Sequence, residues 1–141
     1  PPGWLPRTQE HISIALAGGQ VLLGGVIDLV VGVPCSNRAS VGLIEVKSGQ
    51  KRSEDRASLH FYALLETLRS GAPPSRVVTY YTSTGQMDAE DIAEPQLHGA
   101  IHRVLATTRS LCTPMARHER TDDRAEHQGV GRTTRVRGAA A

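Results

Sequence analysis

The chain has 141 residues, 39% of them hydrophobic, which suits one domain with a single modest core. Its formal net charge of +2 is too small to announce a general polyanion binder, and the excess lies at the end: residues 1 to 112 hold 10 Lys or Arg against 10 Asp or Glu, residues 113 to 141 hold 6 Arg against 4 acids. No apolar run reaches the ~18 residues of a membrane span, and Pro1-Pro2-Gly3-Trp4 lacks the regions of a secretory signal, so membrane insertion and export are unsupported and a cytoplasmic protein is expected. Cys35 and Cys112 lie too far apart for the spacing of zinc or iron-sulfur sites and are expected to be reduced thiols. The absence of an initiating Met leads us to expect a further segment upstream.

From Glu10 to Val33 the pattern is that of a hairpin, with His11 to Leu16 as one arm, Ala17-Gly18-Gly19-Gln20 as the turn, and the apolar run from Val21 as the other arm. Pro34 and Cys35-Ser36-Asn37-Arg38 end that run, and Val41-Gly42-Leu43-Ile44-Glu45-Val46-Lys47 reads as a third strand. The spacing predicts a helix over 53–70 with Ala57, Phe61, Leu64, Leu65 and Leu68 as its buried stripe, stopped by Gly71-Ala72-Pro73-Pro74. Arg76 to Thr82 is rich in β-branched and aromatic residues and reads as a fourth strand. A last helix is expected to begin near Asp88, where Asp88 and Asp91 have capping-box spacing, or to restart at Pro95, and to continue through Leu97, Ile101, Val104 and Leu105. After Cys112 the apolar pattern stops, and residues 113–141 are expected to be a disordered, Arg-rich tail.

The informative feature is an acid inside an apolar strand, Gly24-Gly25-Val26-Ile27-Asp28-Leu29-Val30-Val31, followed by Glu45-Val46-Lys47 inside the next. A buried carboxylate is costly unless a cation or hydrogen bonds compensate it, so two such acids call for one shared explanation. Strand alternation sends Glu45 and Lys47 to one face and Ile44 and Val46 to the other, and Asp28 meets the first pair if the neighbouring strand is in register. We therefore expect the two carboxylates to share a cation, with Lys47 beside them and Val46 buried behind. Hard oxygen ligands on Asp28 and Glu45, with the carbonyl of Val46, suit Mg2+ or Mn2+ and phosphodiester hydrolysis, and an ammonium at Lys47 suits charge developing on a phosphate. By spacing alone, an Asp/Glu/Lys ion-pair network at a sheet edge explains the same residues.

Gly25-Val26-Ile27-Asp28-Leu29, Glu45-Val46-Lys47-Ser48-Gly49, Asp55, and Ser58-Leu59-His60-Phe61-Tyr62-Ala63-Leu64-Leu65 together resemble the RecB-like branch of the PD-(D/E)XK nuclease superfamily, over about residues 10 to 82. The resemblance implies an α/β, restriction-endonuclease-like core in residues 1–112: a mixed central sheet, in the order strand-strand-strand-helix-strand, flanked by helices. It implies Asp28 and Glu45 as metal ligands with the Val46 carbonyl, Lys47 as the catalytic lysine, Tyr62 as the motif tyrosine, and Ser58 where the family usually has Gln, a shorter group with fewer hydrogen bonds. The family's first helix has no counterpart here. Glu10 stands where relatives often carry an acid ahead of the hairpin, although an ordinary exposed Glu explains it as well. His11 is expected to be structural. His60, His98, His102, His118 and His127 form no convincing metal set, with His98 and His102 lacking a neighbouring acid and facing solvent.

The function implied is Mg2+- or Mn2+-dependent hydrolysis of DNA, of exonuclease or helicase-associated type, in repair, recombination or defence, with DNA and a helicase or other repair protein as partners. The alternatives are a catalytically degenerate DNA-binding module of the same fold, which Ser58 and the missing first helix favour, and a noncatalytic α/β interaction domain whose acids are merely ion-paired.

Overall fold

The computed structural model describes residues 4–35 and 38–126, with the backbone alone over 113–126. In chain order the elements are β1 (Arg7–Leu16), β2 (Val21–Val31), β3 (Gly42–Lys47), α1 (Ser53–Ser70), β4 (Arg76–Tyr81), β5 (Gln86–Asp91) and α2 (Glu94–Glu126). The strands form one mixed sheet in the order β1-β2-β3-β4-β5. All neighbours are antiparallel except β3 and β4, which are parallel and joined through α1. The architecture is thus α/β, with the expected strand-strand-strand-helix-strand order. The chain divides into two units, the first ending at Leu105, and the sheet and α1 belong to that first unit.

The hairpin reverses over Ala17, Gly18 and Gly19, all of which have positive φ. α1 begins where the Asp55 carboxylate accepts the backbone N–H of Arg52 at 2.9 Å, and it ends at Gly71, whose left-handed backbone donates its N–H to the Thr67 carbonyl. Between them the helix packs on the sheet through Leu59, Ala63 and Leu65, which join Ile12, Ile27, Val30, Val41, Leu43 and Val77 in the core. Burying each of the larger side chains contributes roughly 1.5–3 kcal/mol. The buried stripe is rotated from the expected one: Leu68 is exposed, and Glu66 is fully buried, drawn inward by its ion pair with Arg69.

Gly25 is where α1 comes nearest to the sheet. A Cβ there would stand 2.7 Å from the Tyr62 ring and 3.4 Å from Leu65, so the missing side chain is what lets Tyr62 lie over β2.

Two further expectations need correction. Residues 86–91 form an edge strand where a helix was expected to start, because the acids counted as caps are held across the sheet or by its flanking loop: Asp91 by Arg76 on β4, Asp88 by Lys51. The helix starts at Glu94 with Pro95 in its first turn, where a missing N–H costs nothing, in agreement with the second of the two expected starts. Val46 is not buried behind the site but 45% exposed, in a row with Tyr80 and Met87 on the face of the sheet opposite α1.

The expected tail at 113–141 falls within α2 as far as Glu126 and, from 127, outside the described residues. Cys35 and Cys112 are not joined by a disulfide. Among the described residues no helix is long and apolar enough to cross a membrane.

Candidate metal centre

The β2–β3 ladder runs from Val31↔Gly42 to Leu29↔Ile44 and ends there. Continuing that register sets Asp28 opposite Glu45, at the first position where the two backbones no longer pair. The Asp28 carboxylate takes over the role of a backbone partner: Oδ2 accepts the N–H of Val46 at 2.8 Å, and Oδ1 accepts Nε2 of Gln9 at 3.0 Å. β3 and β4 stay paired through Lys47↔Tyr81, so Glu45 and Lys47 lie over the same sheet face as the buried Thr79 and Tyr81, under α1. Lys47 Nζ donates to Glu45 Oε1 at 2.8 Å. The other oxygen of this buried residue, Oε2, has no hydrogen-bond partner.

Tyr62, carried by α1 above Gly25, completes the group. Its phenol pKa is raised, first by burial and then by the charge of Glu45; Asp28 acts in the same sense and Lys47 against it. All three groups therefore act on one hydroxyl. The ammonium of Lys47 is held above its ordinary pKa chiefly by the hydrogen bond to Glu45, against the effect of burial, with Asp55 and Tyr62 adding to the attraction. Lys47 thus stays charged throughout the physiological range.

The donor set fits a hard divalent cation. Each oxygen of Asp28 accepts one neutral donor and keeps a lone pair, and Glu45 Oε2 is an acceptor without a donor. The Lys47 carbonyl accepts the N–H of Thr82 from the β4 side, and since strand carbonyls alternate, that of Val46 is directed to the β2 side, where Asp28 lies. Asp28, Glu45 and the Val46 carbonyl would hold Mg2+ or Mn2+, with solvent completing the shell. Among the described residues no group of three or more His, Cys, Asp or Glu side chains is placed to hold a metal ion. No family model matches the chain, and no curated protein matches it.

Not every candidate residue joins the group. The Ser58 hydroxyl donates to the Glu54 carbonyl of its own helix at 3.2 Å. Glu10 is held by two arginines, Arg7 at 3.0 Å and Arg69 at 2.6 Å, and its carboxyl is kept below the usual range chiefly by the Arg69 hydrogen bond. His11 is exposed on β1. His60 is buried against Glu90 at 2.9 Å, and His98, expected to lack a neighbouring acid, stands 3.5 Å from Glu94.

Two further residues stand at the site, Gln9, which no motif singles out, and Asp55, which is among the residues that carry the resemblance. Gln9 holds Asp28 from β1. Asp55, at the start of α1, accepts the buried Tyr81 hydroxyl at 2.9 Å, and its carboxyl is held below the usual range chiefly by the Arg52 N–H, with Tyr81 and Lys47 contributing. Beside them, between α1, β4 and β5, opens a cavity of about 380 Å³ floored by Leu59, Val77 and Thr79 and rimmed by Lys51, Arg52 and Arg56. Lys51 is paired with Asp88 and Arg56 with Glu90, each at 2.6 Å. With those charges answered, the cavity is not a ready-made phosphate cradle.

Proposed function

We propose that the chain is a divalent-metal-dependent nuclease of the PD-(D/E)XK type, hydrolysing phosphodiester bonds in DNA. The observation that carries this reading is the imbalance of charge at the strand parting: Asp28 is held by neutral donors, and Glu45 gives one oxygen to Lys47 while the other, buried, has no donor.

Bound by Asp28, Glu45 and the Val46 carbonyl, Mg2+ or Mn2+ supplies Lewis acidity toward a phosphate oxygen and an attacking water. The chain's own residues do the rest. Asp28 is pre-aimed by two neutral donors, which fix its rotamer without cancelling its charge. Lys47, fixed by Glu45, presents a proton-bearing cation where negative charge grows on the phosphate. Tyr62 covers the group from α1 and offers a hydroxyl donor at its rim.

A second reading, a DNA-binding module of the same fold that cleaves poorly, is favoured by one observation: the Ser58 hydroxyl is spent on its own helix and does not reach the group.

The test is cleavage of end-labelled single- and double-stranded DNA with Mg2+ or Mn2+, run beside calorimetric titration of Mn2+. Cleavage and metal binding are both expected, and both should vanish in Asp28→Ala and Glu45→Ala. Metal binding without cleavage would select the binding module. No binding of either metal would return the acids to the interaction-domain alternative.

A further inference from the structure

We propose that Gln9 is a positioning residue for Asp28, held in a strained backbone conformation for that purpose; the proposal rests on the nuclease reading above. Gln9 has φ 51° in the middle of a ten-residue strand, where extended backbone is the rule. Among the described residues only one other non-glycine has positive φ, Ala17, and it sits in a hairpin turn that requires it. Left-handed backbone is costly for a residue with a Cβ and persists where the surroundings over-determine it.

The distortion does not serve strand register. Thr8↔Leu29 and Glu10↔Ile27 share one offset, so no residue is inserted or lost, yet the pair between them, Gln9 and Asp28, is missing from the ladder. What changes is where the side chains go. On β2, Ile27 and Val30 are both fully buried although three residues apart, so the in-and-out alternation breaks at Asp28 and Leu29. On β1, Arg7 and Glu10, also three apart, meet in an ion pair. The kink frees the Gln9 carboxamide to reach Asp28 Oδ1 from one side while Val46 N–H holds Oδ2 from the other.

The chemistry of the donor matters. Gln9 is neutral, so it fixes the Asp28 carboxylate and leaves its full charge for a cation. Glu10, the next residue, shows the alternative: bridged by two guanidiniums, it is a neutralised acid with nothing to offer a metal. An exposed hydrogen bond between a carboxamide and a carboxylate adds little to folding, which makes strain maintained for its sake hard to explain by stability.

Three variants of the full chain separate strain from contact. Gln9→Met keeps the side-chain length and the strain but loses the donor; Gln9→Gly loses both; Ala17→Gly relieves comparable strain far from Asp28. The readouts are Mn2+ affinity by calorimetry and the thermal midpoint without metal. Both Gln9 variants should bind Mn2+ about tenfold more weakly, the lower end of what losing a partner of a metal ligand costs. Ala17→Gly should bind as wild type does. Gln9→Gly and Ala17→Gly should each hold or raise the thermal midpoint, and Gln9→Met should not raise it.

Wild-type Mn2+ affinity in Gln9→Met overturns the proposal and leaves the nuclease reading standing; the kink would then serve only to bring Arg7 to Glu10. A wild-type chain that binds no Mn2+ overturns both. A metal affinity that falls while the midpoint holds or rises is the signature of positioning, since a merely structural residue would move the two together.

Discussion

Two pairs of acids lie where α1 meets the sheet, and they differ in what answers their charge. Glu10 and Glu66 are joined through Arg69 at 2.6 Å to each, with Arg7 adding a second contact to Glu10. Two acids face two bases. One oxygen of Glu66 and one nitrogen of Arg7 are buried without partners, but they are an acceptor and a donor within one balanced network. Glu45 faces a single lysine, and Asp28, opposite it on β2, receives only neutral donors. The first cluster ties α1 to β1. The second keeps an excess of negative charge at a place where two strands part. A carboxylate with an arginine on it is structural cement; a carboxylate held by amides is still available to a cation.

The sharpest way to break that contrast is to remove the cation from each cluster in turn. Lys47→Met should lower the cleavage rate by about two to three orders of magnitude, as for loss of a group that stabilises transition-state charge, while Mn2+ still binds. By mass action, Mn2+ should also raise the thermal midpoint of this variant, since the ion binds only the folded form. Arg69→Met strands the buried Glu66 and leaves Glu10 with Arg7 alone. It should cost about 2–4 kcal/mol, somewhat less than for a fully buried pair because Arg69 is partly exposed, and Mn2+, bound elsewhere, should raise its midpoint by no more than it raises that of the wild type. Cleavage unchanged in Lys47→Met, or an Mn2+-dependent rise of the midpoint in Arg69→Met larger than that of the wild type, would erase the distinction between the clusters.

Gly25 links the two regions, since it lets α1 approach the sheet between them. Gly25→Ala forces a methyl to within 2.7 Å of the Tyr62 ring, and overpacking of this kind costs about 1–3 kcal/mol. Urea denaturation measures the cost. If Tyr62 matters to the site, Gly25→Ala should also lower cleavage more than Mn2+ affinity, because the tyrosine moves while the carboxylates stay on their strands.

Much of this arrangement was legible in the residues, for physical reasons that can be named. α1 occupies its expected span because its stop, Gly71 before two prolines, depends on local backbone chemistry alone. The third and fourth strands likewise declare themselves through β-branched runs. Glu45 and Lys47 share a face because strand geometry allows nothing else. β5 was hidden because Gln86 to Asp91 offers acids and little apolar pattern, and its strand character comes from partners distant in sequence: Arg76 for Asp91, Arg56 and His60 for Glu90. Gln9 was hidden for the same reason. Its role lies in a backbone angle and a contact 19 residues away, and Glu10 beside it was the residue that drew attention. Local rules reach the elements; tertiary charge pairing decides which acid is neutralised.

The smallest expected effect concerns Glu90, the acid that fastens β5 to α1. Its carboxylate accepts two hydrogen bonds from Arg56, at 2.8 and 2.6 Å, and lies 2.9 Å from His60. Its pKa is lowered to about 2 from 4.5, chiefly by Arg56, with His60 and Gln96 in support and burial opposing. The folded pKa lies below the unfolded one, so folding favours the ionised form. The stabilisation is present in full above about pH 4.5 and is lost as pH falls toward about 2. Arg56 is largely exposed and solvent screens the pair, so the contribution is about 1 kcal/mol rather than the full linkage value. Glu90→Gln should lower stability by that amount at pH 7 and flatten its decline between pH 4.5 and 2, measured by urea denaturation at each pH. Lys47 moves oppositely: its pKa is raised by Glu45, so its contribution is complete at neutral pH and fades only as pH climbs past its ordinary value of 10.5. A mild-acid loss of stability that Glu90→Gln leaves untouched would place the acid-sensitive group elsewhere and remove β5 from the charge-paired side of the comparison.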